Sequence, residues 1–121
     1  MIISKTPLRV SLFGGGTDYP AWYRENGGAV LASTIDKYCY ITCRYLPPFF
    51  PHKYRIVYSR VETVKDAREI KHPAIRAIIE SFKEDRGLEV HYDADLPAKT
   101  GMGSSSSFTV GFVNALKSLR G

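Results

Sequence analysis

Between Leu88 and Leu119 the chain changes its hydrophobic period once, and the change falls on glycine and serine. Leu88, Val90 and Tyr92 alternate with Glu89, His91 and Asp93, the period of a half-buried strand. From Ser104 onward Phe108, Phe112, Ala115, Leu116 and Leu119 mark one side of a helix. Asp95-Leu96-Pro97 ends the strand, and the join runs from Pro97 to Ser107. Gly101 and Gly103, separated by one residue, let the backbone turn with its N–H groups facing inward. The serines open the helix, where unpaired N–H groups and the positive end of the dipole point outward. Such an arrangement binds phosphate. The serine hydroxyls can add hydrogen bonds or reach a Mg²⁺ ion, and Lys99 is close enough in sequence to touch a phosphate. The pattern is not a Walker loop, which needs Lys-Ser/Thr straight after its last glycine; Gly103 is followed by Ser104. The plain alternative is a glycine turn with a serine N-cap, although four consecutive serines are more than a cap needs.

The rest of the chain reads as short strands, a short helix and one further long helix. Ile2 to Lys5 and Leu8 to Phe13 are strand-like and flank Thr6-Pro7. Gly14 to Asp18 is a loop, Ala21 to Glu25 a short helix, and Asn26-Gly27-Gly28 its end. Ala29 to Thr34, Tyr38 to Leu46 and Tyr54 to Arg60 read as strands. Pro73 to Asp85 is a helix with Ile75, Ile78, Ile79 and Phe82 on one stripe, and Gly87 fits the left-handed position that ends it. Glu62 to Glu69, mixed with Lys65 and Arg68, reads as a solvated face.

A second glycine segment, Pro7 to Pro20, carries Arg9 inside an apolar strand. A charged side chain there needs an anionic partner or solvent. Gly15 and Gly16 permit close approach of a ligand to the backbone, and Asp18 can accept from sugar hydroxyls. The competing reading is a glycine turn in which Asp18 bonds its own loop. A dinucleotide fingerprint fails, because the sixth position is Tyr19.

Composition narrows the class. The 121 residues are 44% apolar and 24% charged, which excludes a disordered or fibrous chain. No apolar run reaches the ~18 residues of a membrane span, and no secretory signal is visible, so the expected compartment is the cytoplasm. The net charge of +5 suits small anionic ligands. The Lys and Arg residues are scattered, which disfavours nucleic acid as a partner. Cys39 and Cys43 share a strand face with Cα atoms ~13 Å apart, too far for a disulfide, and are expected as reduced core thiols. His52, His72 and His91 show no metal-site spacing, and the strand tyrosines, Tyr58 among them, read as sheet packing rather than a base-stacking platform.

Taken together, Pro7 to Tyr19 and Pro97 to Ser106 resemble the first and second signatures of the GHMP kinases, the galactokinase, homoserine kinase, mevalonate kinase and phosphomevalonate kinase superfamily. Within it the chain most resembles the D-glycero-D-manno-heptose 7-phosphate kinases, through Pro7 to Ser11, Gly14 to Pro20, Gly27 to Val30, Ile35 to Tyr38 and Ser104 to Gly111. Galactokinases carry Glu-His where this chain has Gly15-Gly16, which speaks against galactose. Met102 stands where the family has Leu.

The resemblance implies an α+β fold, a two-layer sheet-and-helix N-terminal domain like domain 2 of a ribosomal protein, with a left-handed β-α-β unit. It implies that residues 1–121 form an incomplete ATP-binding domain, without the C-terminal GHMP domain, the base aspartate, the Mg²⁺-ligating glutamate or the third glycine-rich motif. The implied activity is transfer of the ATP γ-phosphate to the anomeric hydroxyl of the heptose phosphate, for nucleotide-activated heptose and surface polysaccharide. By position, Arg9 would be catalytic. Gly15, Gly16, Thr17, Asp18 and Tyr19 would bind the sugar phosphate. Lys99, Gly101, Met102, Gly103, Ser104, Ser105 and Ser106 would hold ATP, with Ser105 on Mg²⁺. The readings left open are another GHMP sugar kinase such as a fucokinase-like enzyme, a non-catalytic nucleotide-binding module, and an inactive fragment. A homodimer is compatible with all of them.

Overall fold

The computed structural model describes residues 1–98 and 100–121. Strands β1 (Ile2–Phe13), β2 (Leu31–Tyr45), β3 (Tyr54–Val57), β4 (Val61–Val64) and β5 (Leu88–Ala94) form one sheet in the spatial order β1-β2-β5-β3-β4. The β3–β5 pair is parallel and the others are antiparallel. Helices α2 (Pro73–Ser81) and α3 (Ser104–Arg120) cover one face, while α1 (Pro20–Asn26) buries no residue. This is the expected two-layer α+β arrangement. Its core is the inward row Leu8, Cys39, Ile41, Cys43, Ile56, Leu88 and Val90 against Ile75, Ile79, Phe112 and Leu116.

Several elements differ from the sequence reading. Thr6-Pro7 does not separate two strands: β1 runs through it with Pro7 opposite Tyr38 and a register shift before Arg9. Proline fits because β1 lies at the sheet edge, where a missing N–H removes no central ladder bond. Likewise the two strands expected at Ala29–Thr34 and Tyr38–Leu46 are one, since β1 is long enough to pair with Leu31–Thr34 as well. Strand β4 occupies part of the stretch read as solvated. Its Glu62 is buried and accepts from the Tyr58 hydroxyl (2.6 Å) and the Lys71 N–H (2.7 Å). Helix α2 stops at Ser81, and the left-handed residue that ends it is Lys83 (φ 50°), not Gly87. The Glu84 N–H donates to Ile79 O and the Lys83 N–H to Glu80 O, the paired bonds of a Schellman motif. Gly87 instead sits at a close approach: a Cβ there would lie 3.0 Å from Lys53 O and 3.3 Å from Leu46 Cβ.

Glu89, on the sheet face away from the helices, is only 4% exposed. It stands opposite Arg44 of β2 and Arg55 of β3, and both guanidinium groups bond its carboxylate, as does His91 at 3.1 Å. Burial pushes this carboxyl up, but the bonds from His91, Arg55 and Arg44 outweigh it and hold it at about 2. The folded value lies below the ordinary 4.5, so the stabilisation is present above pH 4.5 and is lost as pH falls from there toward 2. Both arginines are partly solvated, which brings the contribution to about 2 kcal/mol. Glu89→Gln is expected to lose that amount at pH 7 and to flatten the acid limb of the stability profile. Urea melts of both proteins from pH 7 to 2.5 will show this; parallel acid limbs would refute it.

Cys39 and Cys43 are free and fully buried beneath α3, as expected. Burial raises their thiols to about 11 and about 12, so neither forms a reactive thiolate at neutral pH.

Candidate functional site

Helix α3 begins on a backbone that only glycine adopts easily. Gly101 and Gly103 have φ of 74° and 70°, and Gly103 occupies the N-cap position without a side chain to accept from the first turn. The four serines then divide. Ser107 is buried and its hydroxyl donates to Pro7 O at 3.0 Å, tying α3 to β1. The Ser106 hydroxyl turns back to Gly103 O at 2.9 Å. No hydrogen bond engages the hydroxyls of Ser104 and Ser105 among the described residues. The amides of the first turn have no side-chain cap, and Gly101, Ser105 and Ser106 are exposed. The segment is thus partly open, and no strand takes up its amides. Lys99 lies outside the described residues.

Arg9 is brought to this loop. Its N–H donates to Met102 O at 3.1 Å, and its side chain lies against Gly103, where a Cβ would meet Arg9 Cγ at 2.9 Å and Nε at 3.2 Å. Arg9 is exposed and has no ion pair among the described residues. The other glycine segment forms a separate corner. Gly14, at φ 90°, passes so close to Ala29 that a Cβ would overlap its carbonyl oxygen. The Thr17 hydroxyl is within hydrogen-bonding distance of Gly14 O (2.8 Å) and Ala29 O (3.2 Å), so Thr17, rather than Asp18, braces the turn. The Asp18 side chain has no partner among the described residues. It lines a hollow of about 270 Å³ with Tyr23 and Gly28. Gly16 faces open space and Gly15 nearly so. Tyr19 is exposed and precedes α1. No hydrogen bond joins Gly15–Tyr19 to Gly101–Ser106 among the described residues. Arg9 and Phe13, on one strand, set the two corners ~13 Å apart.

Sequence reasoning missed the wall beside the serines. A cavity of about 250 Å³ adjoins Ser104 and Ser105 and is lined by Tyr58, His72, Tyr92 and Phe108. The rings brace one another: Phe108 lies 5.1 Å from His72 and 5.2 Å from Tyr92, and His72 lies 5.1 Å from Tyr58. Burial pushes the His72 imidazole down, which keeps it neutral, and its Nδ1 accepts the Ile75 N–H at the start of α2. The available signal was Phe108, one helical turn after Ser104. Tyr58 and His72 are far away in sequence and carried none. No carboxylate lines this cavity, and no cluster of metal-binding side chains occurs among the described residues. Among the described residues no helix is long and apolar enough to cross a membrane.

Residues 65–121 match the family model described as the GHMP kinases N terminal domain. A D-glycero-alpha-D-manno-heptose 7-phosphate kinase of Campylobacter jejuni is 29% identical over 94% of this chain. Among solved structures, a D-glycero-D-manno-heptose 1-phosphate kinase from Bacteroides thetaiotaomicron superposes over 96% of the chain with a TM-score of 0.78 at 23% identity. The mevalonate kinase of Methanococcus jannaschii does so over 98% with 0.71 at 19% identity. The chain spans 36% of the length of the curated relative and 40–41% of the two solved ones. On these comparisons residues 65–121 resemble the GHMP kinases N terminal domain, and the chain as a whole shares the fold of the two solved kinases.

Proposed function

We propose that this chain is the N-terminal, nucleotide-binding domain of a longer sugar kinase that transfers the γ-phosphate of ATP to D-glycero-D-manno-heptose 7-phosphate at its anomeric hydroxyl. The observation that carries the reading is the open start of α3: uncapped amides and two unengaged serine hydroxyls, with Arg9 on one side and an aromatic cavity on the other. Phosphoryl transfer depends chiefly on positioning and charge neutralisation. Amides from Gly101 to Ser106 hold the phosphates, Lys99, close by in sequence, adds a positive charge, and the aromatic cavity takes the base. Arg9 faces the transferring phosphoryl group. Gly15, Gly16, Thr17, Asp18 and Tyr19 form the sugar corner, where the absence of side chains at Gly15 and Gly16 admits a bulky phosphorylated sugar. Mg²⁺ fits the donor set in part: the Ser105 hydroxyl is one hard oxygen ligand, and phosphate oxygens and water are the usual remainder. The ion would supply neutralisation of phosphate charge.

A second piece of polypeptide is part of this reading. Leu12, Phe13, Tyr19, Trp22, Val30 and Leu31 are each more than half exposed on the arm formed by β1, α1 and β2. Apolar surface of that kind marks an interaction site, and a following domain of the same polypeptide is its occupant here. Asp18 is the carboxylate of the sugar corner and is assigned to holding the sugar, so with no acceptor-activating base assigned the 121 residues alone are expected to bind nucleotide without transferring phosphate. The product would feed nucleotide-activated heptose and surface polysaccharide synthesis in the cytoplasm.

The test has two arms. Mg-ATP is expected to raise the melting temperature of the 121-residue chain in a saturable manner; a folded sample with no shift at millimolar Mg-ATP would contradict nucleotide binding. The full-length protein is expected to phosphorylate D-glycero-D-manno-heptose 7-phosphate in preference to fucose or galactose, followed by ³¹P NMR. Preference for fucose would transfer the assignment to a fucokinase-like enzyme.

A further inference from the structure

A second and larger hollow, of about 540 Å³, lies at the opposite end of the sheet. Strand β5 begins there with Leu88 and ends near the loop with Ala94, which separates the two places by ~20 Å. Its floor is a knot of backbone bonds joining four strands: Leu46 N–H to Gly87 O at 2.8 Å, Leu88 N–H to Lys53 O at 2.9 Å, and Lys53 N–H to Val64 O at 3.0 Å. Gly87, where a Cβ would crowd Lys53 O and Leu46, lies in the same knot. Pro47, Pro48 and Pro51 with Phe50 form stiff apolar walls.

The charges at this rim are of one sign. Lys53 precedes β3, Lys65 follows β4 and Arg86 precedes β5, so three strand ends each deliver a cation. Arg86 is pinned, bonded to Glu84 at 3.0 Å and lying 3.8 Å over the Tyr45 ring. Lys53 and Lys65 have no ion pair among the described residues, and no carboxylate lines the hollow. The nearby Asp66 is engaged by the Arg68 guanidinium at 3.0 and 2.8 Å. Glu80, Glu84 and Asp85 line an adjoining groove, with Asp66, that Lys53 and Lys65 also border. His52, also in the lining, has an enclosed Nε2 with no hydrogen-bond partner, an unmatched polar atom of the kind folded proteins seldom leave.

We propose that this hollow is a binding site for a phosphorylated small molecule, distinct from the nucleotide site. The phosphate dianion bridges Lys53 and Lys65, the compact point charges suited to it. An apolar or planar body rests on Phe50 and the prolines, and the volume is in the range of small-molecule sites. The assignment is independent of the kinase reading, because none of its residues belongs to the loop or to the sugar corner.

Phenyl phosphate is the probe. In ¹⁵N NMR of the 121-residue chain, the Leu46, Gly87 and Leu88 amides are expected to shift and saturate together. Lys53→Gln with Lys65→Gln should weaken that response at least tenfold while leaving the melting temperature of the free protein unchanged; if the double variant fails to fold, Lys65→Gln alone is read for the same loss. The Gly103→Val protein should keep the response, which separates this site from the loop. Saturable shifts confined to Gly101–Ser106, or unchanged affinity in the folded lysine variant, would overturn the proposal. Inorganic phosphate binding as tightly as phenyl phosphate would overturn the ligand class.

Discussion

Gly111→Val is expected to lower the unfolding free energy by about 3 kcal/mol, the size of a strongly overpacked core substitution. Gly111 is where α3 rests directly on β1 and β2. A Cβ there would stand 2.8 Å from Thr6 Oγ1, 3.4 Å from Ile41 Cγ1 and 3.5 Å from Ser4 Oγ. The small inward residues Ser4 and Thr6 are thus what let the helix come so close. Helix propensity pulls the other way, since valine is the better helix former, but only by a few tenths of a kcal/mol. The two added γ-carbons enter a layer already closed by Phe112 and Leu116, both fully buried. Relief must come from Thr6, whose hydroxyl makes the nearest contact. Thr6→Ala combined with Gly111→Val should therefore recover about 1 kcal/mol relative to the sum of the two single changes. Urea denaturation of the four proteins measures this cycle. Strict additivity would show that the helix is not seated on Thr6.

Gly103→Val is expected to abolish the Mg-ATP melting shift, equivalent to an affinity loss of at least ~100-fold or ~2.7 kcal/mol. Two effects combine. The backbone at φ 70° is unfavourable for a β-branched residue, and the new Cβ would lie 2.9 Å from Arg9 Cγ. The loop must rotate its amides, move Arg9, or do both, and each removes a contact proposed for the phosphates. Gly101→Ala is the calibrating variant. It has the same strain at φ 74° but its Cβ meets open space, so it should cost about tenfold in affinity or less. Equal losses in the two variants would remove Arg9 from the site, and an undiminished melting shift in Gly103→Val would remove the loop.

What was legible in the sequence was whatever a local pattern encodes. The period-two run of β5, the apolar side of α3 and the glycine pair between them predicted strand, loop and helix in their observed places. The paired signatures gave the resemblance to the GHMP kinases. The even spacing of Cys39 and Cys43 put both thiols on the buried face. Readings that depended on neighbours distant in the chain failed. Thr6-Pro7 looked like a break because nothing local says that β1 is an edge strand. Glu62 looked solvated, and Glu89 was only one polar position in an alternating strand, because the groups that hold them, Tyr58 and Lys71 for one and Arg44 and Arg55 for the other, arrive through folding. Gly87 looked like a helix end because a glycine imposed by Lys53 and Leu46 has the same letter as one imposed by φ.

By itself, then, the sequence determined the strand-loop-helix that presents uncapped amides, since backbone conformation and hydrophobic period are properties of adjacent residues. Only the tertiary structure decided which serines stay unengaged, that Arg9 meets Gly103, and that Tyr58, His72, Tyr92 and Phe108 close one cavity. Those facts are distances between segments up to 100 residues apart, set by how the helices settle on the sheet, and no local pattern carries them.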